Sequence, residues 1–287
     1  MMDQAKGQSR ARKIKARLLY LACLSAIIIS LGALAVLLTD MFIRGFGSLS
    51  LSFLTSFPSR FPAKAGIKSA IFGTIWMMSL TALFCIPIGI STAIFLEEYT
   101  GNSRLAAFIK INISNLAGVP SIVYGFLGLA VFVRALSFNR SVLSGSLTLA
   151  LLVMPIVIVS SQEAIRVVPR ALREASYALG GTRWQTIRRV VLPSSFPGIV
   201  TGVILALSRA IGETAPLIMI GALTFIAFVP DGPFSEFTAL PIQIFNWVSR
   251  PQAGFHQAAA AGVLVLLGII FFMNGIASII RNRFERH

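Results

Sequence analysis

Long apolar runs recur along the chain, and they limit its possible folds more than any other feature. An apolar run of about 20 residues crosses the hydrocarbon core of a bilayer as a helix, and one of about 25 crosses it with tilt. Only 12% of the residues are charged and 56% are hydrophobic, which is too few charges to cover a soluble body. We therefore predict an all-α, polytopic membrane protein with six transmembrane helices. Their approximate bounds are Leu18–Ile43, Ala70–Leu96, Ile113–Val133, Val142–Ser161, Phe196–Leu223 and Ala258–Ile280.

The basic residues between these runs predict the orientation. With a cytoplasmic N-terminus, 17 of the 25 Lys and Arg residues lie inside, seven lie outside, and Arg209 lies within a span. Because cytoplasmic loops carry the excess of Lys and Arg, we expect both termini in the cytoplasm and the first span to be an uncleaved anchor. The net charge of +15 then reflects topology and not binding to nucleic acid. The predicted segments are a basic cytoplasmic arm (1–17), an anchor helix (18–43), an outer loop (44–67), a five-helix core (68–280) and a cytoplasmic tail (281–287).

The sequence contains no pattern typical of a metal site, a redox site or a nucleotide-binding site. Cys23 and Cys85 lie inside apolar runs, and we interpret them as small core residues. His256 and His287 are too far apart in the sequence to suggest a metal site. No Gly-x4-Gly-Lys-Ser/Thr stretch occurs, and no nucleophile stands beside a general base. We expect no metal, no cofactor, no ATP site and no enzymatic activity in this chain alone.

Proline and glycine interrupt several of the spans. A broken helix is tolerated in a bilayer where neighbouring helices or a water-lined cavity satisfy its free backbone groups. The breaks therefore indicate a bundle with an internal path, although proline and glycine are also simply commoner in membrane helices. The interruptions are Pro87 and Gly89, Gly118 and Pro120, Pro155, and Gly212 and Pro216.

The longest predicted cytoplasmic loop, residues 163–193, contains two short helices separated by Gly180–Gly181. The first lies around Pro169–Leu179, and the second begins at Thr182 with the spacing of a capping box. Leu192-Pro193 closes the unit before the next span. In the second helix an apolar stripe (Trp184, Ile187, Val191) lies among arginines (Arg183, Arg188, Arg189). Such a surface suits a groove on a cytoplasmic partner or, equally, an anionic lipid surface.

Two charges lie inside the fifth span, Arg209 near its middle and Glu213 four residues later on the same helical face. Each charge costs at least about 2.5–3.5 kcal/mol to insert, so we expect the two to face each other and the bundle interior. One interpretation is a structural ion pair. The other is a cationic station for an oxyanion, whose tetrahedral oxygens match the arginine fork, with Glu213 tuning its affinity or accepting a hydrogen bond from a protonated oxyanion.

The loop resembles a known pattern. Its residues Glu174-Ala175-Ser176-x3-Gly180-x9-Val190-x-Leu192-Pro193 are similar to the EAA-x3-G-x9-I-x-LP loop of ABC importer permeases, with Ser176 and Val190 as mild departures. The resemblance implies a type I ABC importer permease (MetI-like) bundle, in which this loop is the coupling helix seated in a cleft of the ATP-hydrolysing subunit. The coupling residues it implies are Glu174, Ala175, Ser176, Gly180, Trp184, Leu192 and Pro193.

The segment Ser208–Leu217 resembles the S-R-x-x-G-E-T-A-P-L segment of phosphate-specific permeases of the PstA type. The stretches Gly118–Gly125, Ala239–Trp247 and Arg281–Phe284 also look like this family, and the likeness covers Gly66 to the C-terminus. It implies an importer of inorganic phosphate in the bacterial inner membrane, with Arg209 and Glu213 on the substrate path. The implied partners are a PstC-like permease, two copies of a PstB-like ATPase and a PstS-like phosphate-binding protein.

Three other functions stay open on the sequence. The substrate could be another oxyanion, such as molybdate, sulfate or phosphonate. The two intramembrane charges alone would also permit a channel or secondary transporter that works without an ATPase, although we see no inverted repeat. A third possibility is a membrane scaffold or sensor of phosphate status, for which Arg209 and Glu213 would be dispensable.

Overall fold

The computed structural model describes residues 2–101 and 103–284. The helices in chain order are α1 (Met2–Phe46), α2 (Leu51–Thr55), α3 (Lys68–Ile94), α4 (Arg104–Ala117), α5 (Ser121–Gly128), α6 (Val142–Val167), α7 (Arg170–Ala178), α8 (Arg183–Thr186), α9 (Leu192–Ile211), α10 (Ala215–Ile220), α11 (Leu240–Val248) and α12 (Ala253–Phe284). π-helical turns extend α3 (Phe95–Tyr99) and α5 (Leu129–Ala135) and join α8 to α9 (Ile187–Val191). Five helices are long and apolar enough to cross a membrane, and the bent pair α4–α5 brings the number to six when it is counted as one span. The predicted all-α, six-span architecture is confirmed.

Helix α6 forms the centre of the bundle, and α3 and α9 pack along it. Small residues permit the close approach, as expected for helices that associate within lipid. A Cβ added at Gly89 of α3 would lie 2.7 Å from the Val157 side chain, and one at Gly198 of α9 would lie 2.7 Å from the Ala164 Cβ. Side-chain hydroxyls also form hydrogen bonds between the helices: Thr81 Oγ1 of α3 donates to the Ser146 carbonyl of α6 at 3.2 Å. The bundle thus has a well-packed axis to which the remaining elements attach.

The third span is not the single helix that hydropathy predicts. Helix α4 ends at Ala117, α5 begins at Ser121, and the two axes differ by 101°. Pro120 explains the break, because its ring disfavours helical geometry at Val119 and it has no N–H to donate. The predicted third span, Ile113–Val133, therefore contains a break where Gly118 and Pro120 indicated one, and its first helix begins earlier than predicted, at Arg104.

The fifth span is also displaced from its prediction. Its helix runs unbroken from Arg183 to Ile211, so Leu192-Pro193 does not separate the loop from the span. Pro193 cannot donate to the carbonyl four residues earlier, and the turn just before it widens to a π-helix. At the other end α9 stops at Ile211, and Leu223 lies beyond a second short helix, α10. Arg209 therefore lies in the last turn of α9 and not near the middle of the span.

Helix α1 stands apart from this core. It carries both the predicted basic arm and the anchor in one helix, and none of its most apolar stretch is buried within the chain. It approaches α12 closely at Gly45, where an added Cβ would lie 2.7 Å from the backbone of Ala260. The predicted tail is partly helical, because α12 continues to Phe284, and residues 285–287 lie outside the described residues.

Candidate substrate path and coupling surface

Arg209 and Glu213 meet across the end of α9. The Arg209 Nε donates to the Glu213 Oε1 at 3.3 Å. Glu213 follows the helix end at Gly212, and its own N–H donates to the Ala210 carbonyl at 3.2 Å. One residue before Arg209, the Ser208 hydroxyl donates to Asn274 Oδ1 of α12 at 2.6 Å, which fixes the rotation of α9. The two charges are thus brought together, as their spacing predicts.

The ion pair leaves most of the arginine fork available. The Arg209 side chain is 45% exposed, whereas that of Glu213 is 16% exposed. Among the described residues, the contacts of Arg209 use its Nε, while a guanidinium carries further donors on both terminal nitrogens. A tetrahedral oxyanion can therefore approach the free edge of this guanidinium without displacing Glu213.

The two short helices that follow breaks in the chain, α5 and α10, pack against each other near this pair. Helix α5, which follows the break at Gly118–Pro120, packs against α10, which follows the break at Gly212–Thr214. The contact is at backbone level, because an added Cβ at Gly125 would lie 2.7 Å from the Pro216 Cα. The Tyr124 hydroxyl donates to the Leu116 carbonyl at 2.9 Å and lies close enough to Arg209 to interact electrostatically. The stretches Gly118–Gly125 and Ser208–Leu217, noted separately in the sequence, form one region of the fold.

The loop between α6 and α9 forms a compact unit, which we call the α7–α8 hairpin (residues 170–186). Gly180 adopts a φ of +80° at its turn, a conformation that favours glycine. Thr182 and Gln185 form the predicted capping box at the start of α8. The two helices are tied by the Ser176 and Thr186 hydroxyls at 2.8 Å and by the Gly181 N–H, which donates to the Ser176 carbonyl at 3.0 Å.

The exposed face of this hairpin differs from the predicted stripe. Trp184 is 55% exposed, but Ile187 and Val191 are fully buried, so these two pack inside the protein and cannot bind a partner. Sequence spacing identified their common face but not what covers it. Leu179, which the sequence analysis missed, is 90% exposed, and Leu172 is 44% exposed. Leu172 lies on α7, and Leu179 is the C-cap residue that follows this helix, so both lie at the surface of the hairpin. Two leucines in this polar segment could have been recognised from the sequence.

The other predicted coupling residues divide into two groups. Glu174 and Ala175 are exposed on α7 beside the half-buried Ser176. Leu192 and Pro193 lie at the start of α9, where they line an apolar groove of about 660 Å³ between α3, α9 and α12. The first group can contact a partner directly, whereas the second sets the path of the helix that leaves the hairpin.

A cluster of ion pairs lies between the hairpin and the bundle. The Glu97 carboxylate accepts hydrogen bonds from Lys110 at 2.7 Å and from Arg166 at 2.9 Å. The neighbouring Glu98, 8% exposed, accepts from Arg173 of α7 at 2.9 Å. Neither glutamate was predicted from the sequence to have a functional role. Two adjacent acidic residues at the end of an apolar run are nevertheless unusual in a chain that has only ten acidic residues.

The long loop at the opposite end of the bundle carries Asp231 and Glu236. The Ser235 hydroxyl donates to the Asp231 carboxylate at 2.8 Å, and this bond lowers the pKa of Asp231. Glu236 forms an isolated bridge with Ser141 at the start of α6. Both residues thus organise the loop around the end of α6.

Apolar helices that can cross a membrane, a bent span near a charged pair and an exposed hairpin at one end are the features of a membrane permease that works with a partner. The family model for the binding-protein-dependent transport system inner membrane component matches residues 85–286. The chain belongs to this family, whose members are permease subunits that work with an ATPase and a substrate-binding protein.

Several bacterial permeases are similar over most of the chain. The probable ABC transporter permease YqgI of Bacillus subtilis is 36% identical over 83% of this chain and 87% of its own length. Phosphate transport system permease PstA 1 of Mycobacterium tuberculosis is 37% identical over 75% of this chain and 70% of its own. PstA of Yersinia pestis is 31% identical over 98% of this chain and 94% of its own.

Solved structures support the same fold. A chain of the bacterial alginate ABC transporter matches with a TM-score of 0.67 at 20% identity, over 92% of this chain and 95% of its own. A chain of the inward-facing MetNI methionine ABC transporter matches with a TM-score of 0.63 at 17% identity, over 75% of this chain and 96% of its own. The predicted MetI-like importer bundle is confirmed.

Proposed function

We propose that this chain is the PstA-like permease half of an ATP-driven importer of inorganic phosphate. Arg209 is the cationic station on the path, and Glu213 limits how tightly the anion binds. The PstA permeases of Mycobacterium tuberculosis and Yersinia pestis support the substrate by likeness. The free edge of the Arg209 guanidinium supports it chemically, because its planar donors match phosphate oxygens.

One observation carries the coupling mechanism. A continuous helix joins Arg183, in the exposed hairpin, to Ile211, two residues beyond Arg209. At 1.5 Å per residue, Arg183 and Arg209 are separated by roughly 40 Å along this helix. An ATPase that displaces the hairpin therefore moves the helix that ends at the anion station. ATP binding would open the path outward to accept phosphate, and hydrolysis would return it to an inward-open state.

The proposed importer is a complex of this chain with three kinds of partner protein. A PstC-like permease forms the other half of the path, two PstB-like ATPases bind the hairpins, and a PstS-like protein delivers phosphate from outside. Both termini then lie in the cytoplasm, as the excess of basic residues there predicts. Exposed Leu179 and Trp184 give the ATPase an apolar contact, and Glu174 is exposed on α7. This chain itself holds no ATP.

Phosphate uptake in an import-deficient strain tests the station. Cells express the chain with its partners and carry Arg209→Ala or Arg209→Lys. Losing a charge-assisted contact of about 1.5–3 kcal/mol lowers uptake roughly 10- to 100-fold in the alanine variant. Lysine restores part of it, because the charge returns without the fork. Arg44→Ala is the matched control, since Arg44 forms the same i,i+4 pair with Asp40 in α1.

Three outcomes would contradict the proposal. Normal uptake by Arg209→Ala would show that Arg209 does not bind the anion. If excess sulfate or molybdate inhibited uptake of labelled phosphate as strongly as unlabelled phosphate does, phosphate would not be the specific substrate. Uptake without any ATPase would identify an independent anion transporter instead.

A further inference from the structure

The π-helical turn Phe95–Tyr99, at the end of α3, makes side-chain contacts with four other elements. Glu97 binds Lys110 of α4 and Arg166 of α6, and it also accepts a bond from Gln162 at 3.2 Å. Glu98 binds Arg173 of α7. Tyr99 receives the Arg183 guanidinium over its ring at 5.0 Å. Three consecutive side chains therefore join α3 to α4, α6, α7 and α8.

The link from Glu98 to α7 has the geometry of a rigid connection. Arg173 donates through both Nε, at 3.2 Å, and Nη2, at 2.9 Å, to the same Glu98 oxygen. Its Nη2 also donates to the Ile165 carbonyl at 2.9 Å, and its Nη1 donates to the Val168 carbonyl. The side chains are 17% and 8% exposed, so water screens this pair less than it screens a surface pair. Arg173 thus ties α7 both to the end of α6 and to the end of α3.

Surface ion pairs serve as a comparison. Asp40 and Arg44 form a pair of the same chemistry in α1, but their side chains are 40% and 59% exposed. Such exposed pairs are held weakly and transmit little force. The Glu98–Arg173 pair is different because removing either partner leaves the other charged group largely buried without its counter-ion.

We propose that the turn Phe95–Tyr99 is the joint through which the α7–α8 hairpin moves α3, α4 and α6 in addition to α9. Glu98 receives the movement of α7 through Arg173, and Glu97 passes it to α4 and α6 through Lys110 and Arg166. Glu98 and Arg173 are positioning residues, because they contact neither the anion nor ATP. The inference rests on the proposed coupling to an ATPase. It adds a second route from the hairpin, beside the continuous helix α8–α9.

The second route explains how one hairpin can move two groups of helices together. Helix α9 carries Arg209, while α4 leads into α5, whose Tyr124 is within electrostatic range of the same arginine. If only α9 moved, Arg209 would shift against a stationary α5. With the joint intact, both walls of the path follow the hairpin. Loss of the joint therefore leaves ATP hydrolysis intact and makes transport inefficient.

The test measures phosphate transported per ATP hydrolysed by the complete complex in proteoliposomes. The variants are Glu98→Gln, which keeps the side-chain shape, and Arg173→Met, which keeps much of its length. We expect ATPase activity within about twofold of the wild type and a ratio of phosphate to ATP about tenfold lower. Arg173→Lys should recover part of the ratio, and Arg44→Met should leave it unchanged.

The double variant separates a joint from two unrelated defects. Residues that act through one contact are not additive, so Glu98→Gln with Arg173→Met should be no worse than either single variant. An unchanged ratio in assembled Glu98→Gln complexes would overturn the joint, and so would additive losses in the double variant. Absence of ATP-dependent uptake by the wild-type complex would instead overturn the proposed function. If Arg173→Met does not assemble, Glu98→Gln and Glu98→Asp decide the matter.

Discussion

Replacing Gly180 tests whether the left-handed backbone conformation of the hairpin turn, and not the mere lack of a side chain, is needed to couple ATP hydrolysis to transport. Gly180 has a φ of +80°, and an added Cβ would meet nothing within 4 Å. The whole cost of Gly180→Val is therefore backbone strain, roughly 1–2 kcal/mol for a side chain in the left-handed region. A cost of this size reduces the population of the native turn about 5- to 30-fold. We expect the bundle to be unaffected, because Gly180 is exposed and an added Cβ there meets nothing within 4 Å.

The assay is again phosphate transported per ATP hydrolysed in proteoliposomes. We expect Gly180→Val to lower this ratio about tenfold while the complex assembles in normal amounts. Gly180→Asn is the matched control, because asparagine also adds a side chain at this position but tolerates the left-handed backbone conformation. It should stay within about twofold of the wild type. Normal coupling by the valine variant, or equal damage by both, would refute the conformational argument.

Two further substitutions test the surfaces described above. Leu179→Asp should weaken ATPase binding about tenfold or more without lowering the melting temperature of the isolated permease, since Leu179 is 90% exposed; unchanged binding in a pull-down titration would remove it from the interface. Gly125→Val should destabilise the fold by about 1–3 kcal/mol, because its Cβ would lie 2.7 Å from the Pro216 Cα. Gly268→Val in α12, where an added Cβ meets nothing within 4 Å, should leave the thermal unfolding midpoint unchanged, and equal shifts in both variants would contradict the α5–α10 contact.

Hydropathy predicted the number of spans, because each crossing needs its own apolar run. It could not predict where the runs break, since a window average does not register backbone geometry. Gly118 and Pro120 were recognised as interruptions, yet the 101° bend between α4 and α5 depends on how the two halves pack. The same limit displaced Arg209 from the middle of a span to the end of α9.

Local chemistry was predictable where it depends on near neighbours. The capping box at Thr182 and the ion pair of Arg209 with Glu213 both follow from spacings of three and four residues. The stripe of Ile187 and Val191 failed as a docking surface because periodicity does not say what covers a face. The joint at Glu98 was missed because its partner Arg173 lies 75 residues away.

Accumulation of [³²P]phosphate by the reconstituted complex, measured with and without ATP, decides whether this chain is part of an ATP-driven phosphate importer. Proteoliposomes contain this chain, a PstC-like permease and a PstB-like ATPase, with a PstS-like protein and labelled phosphate on the outer side. We expect accumulation that requires ATP inside the proteoliposomes and that falls roughly 10- to 100-fold in Arg209→Ala. Accumulation that is independent of ATP, or a complex that hydrolyses ATP in response to the binding protein but moves no phosphate, would contradict it.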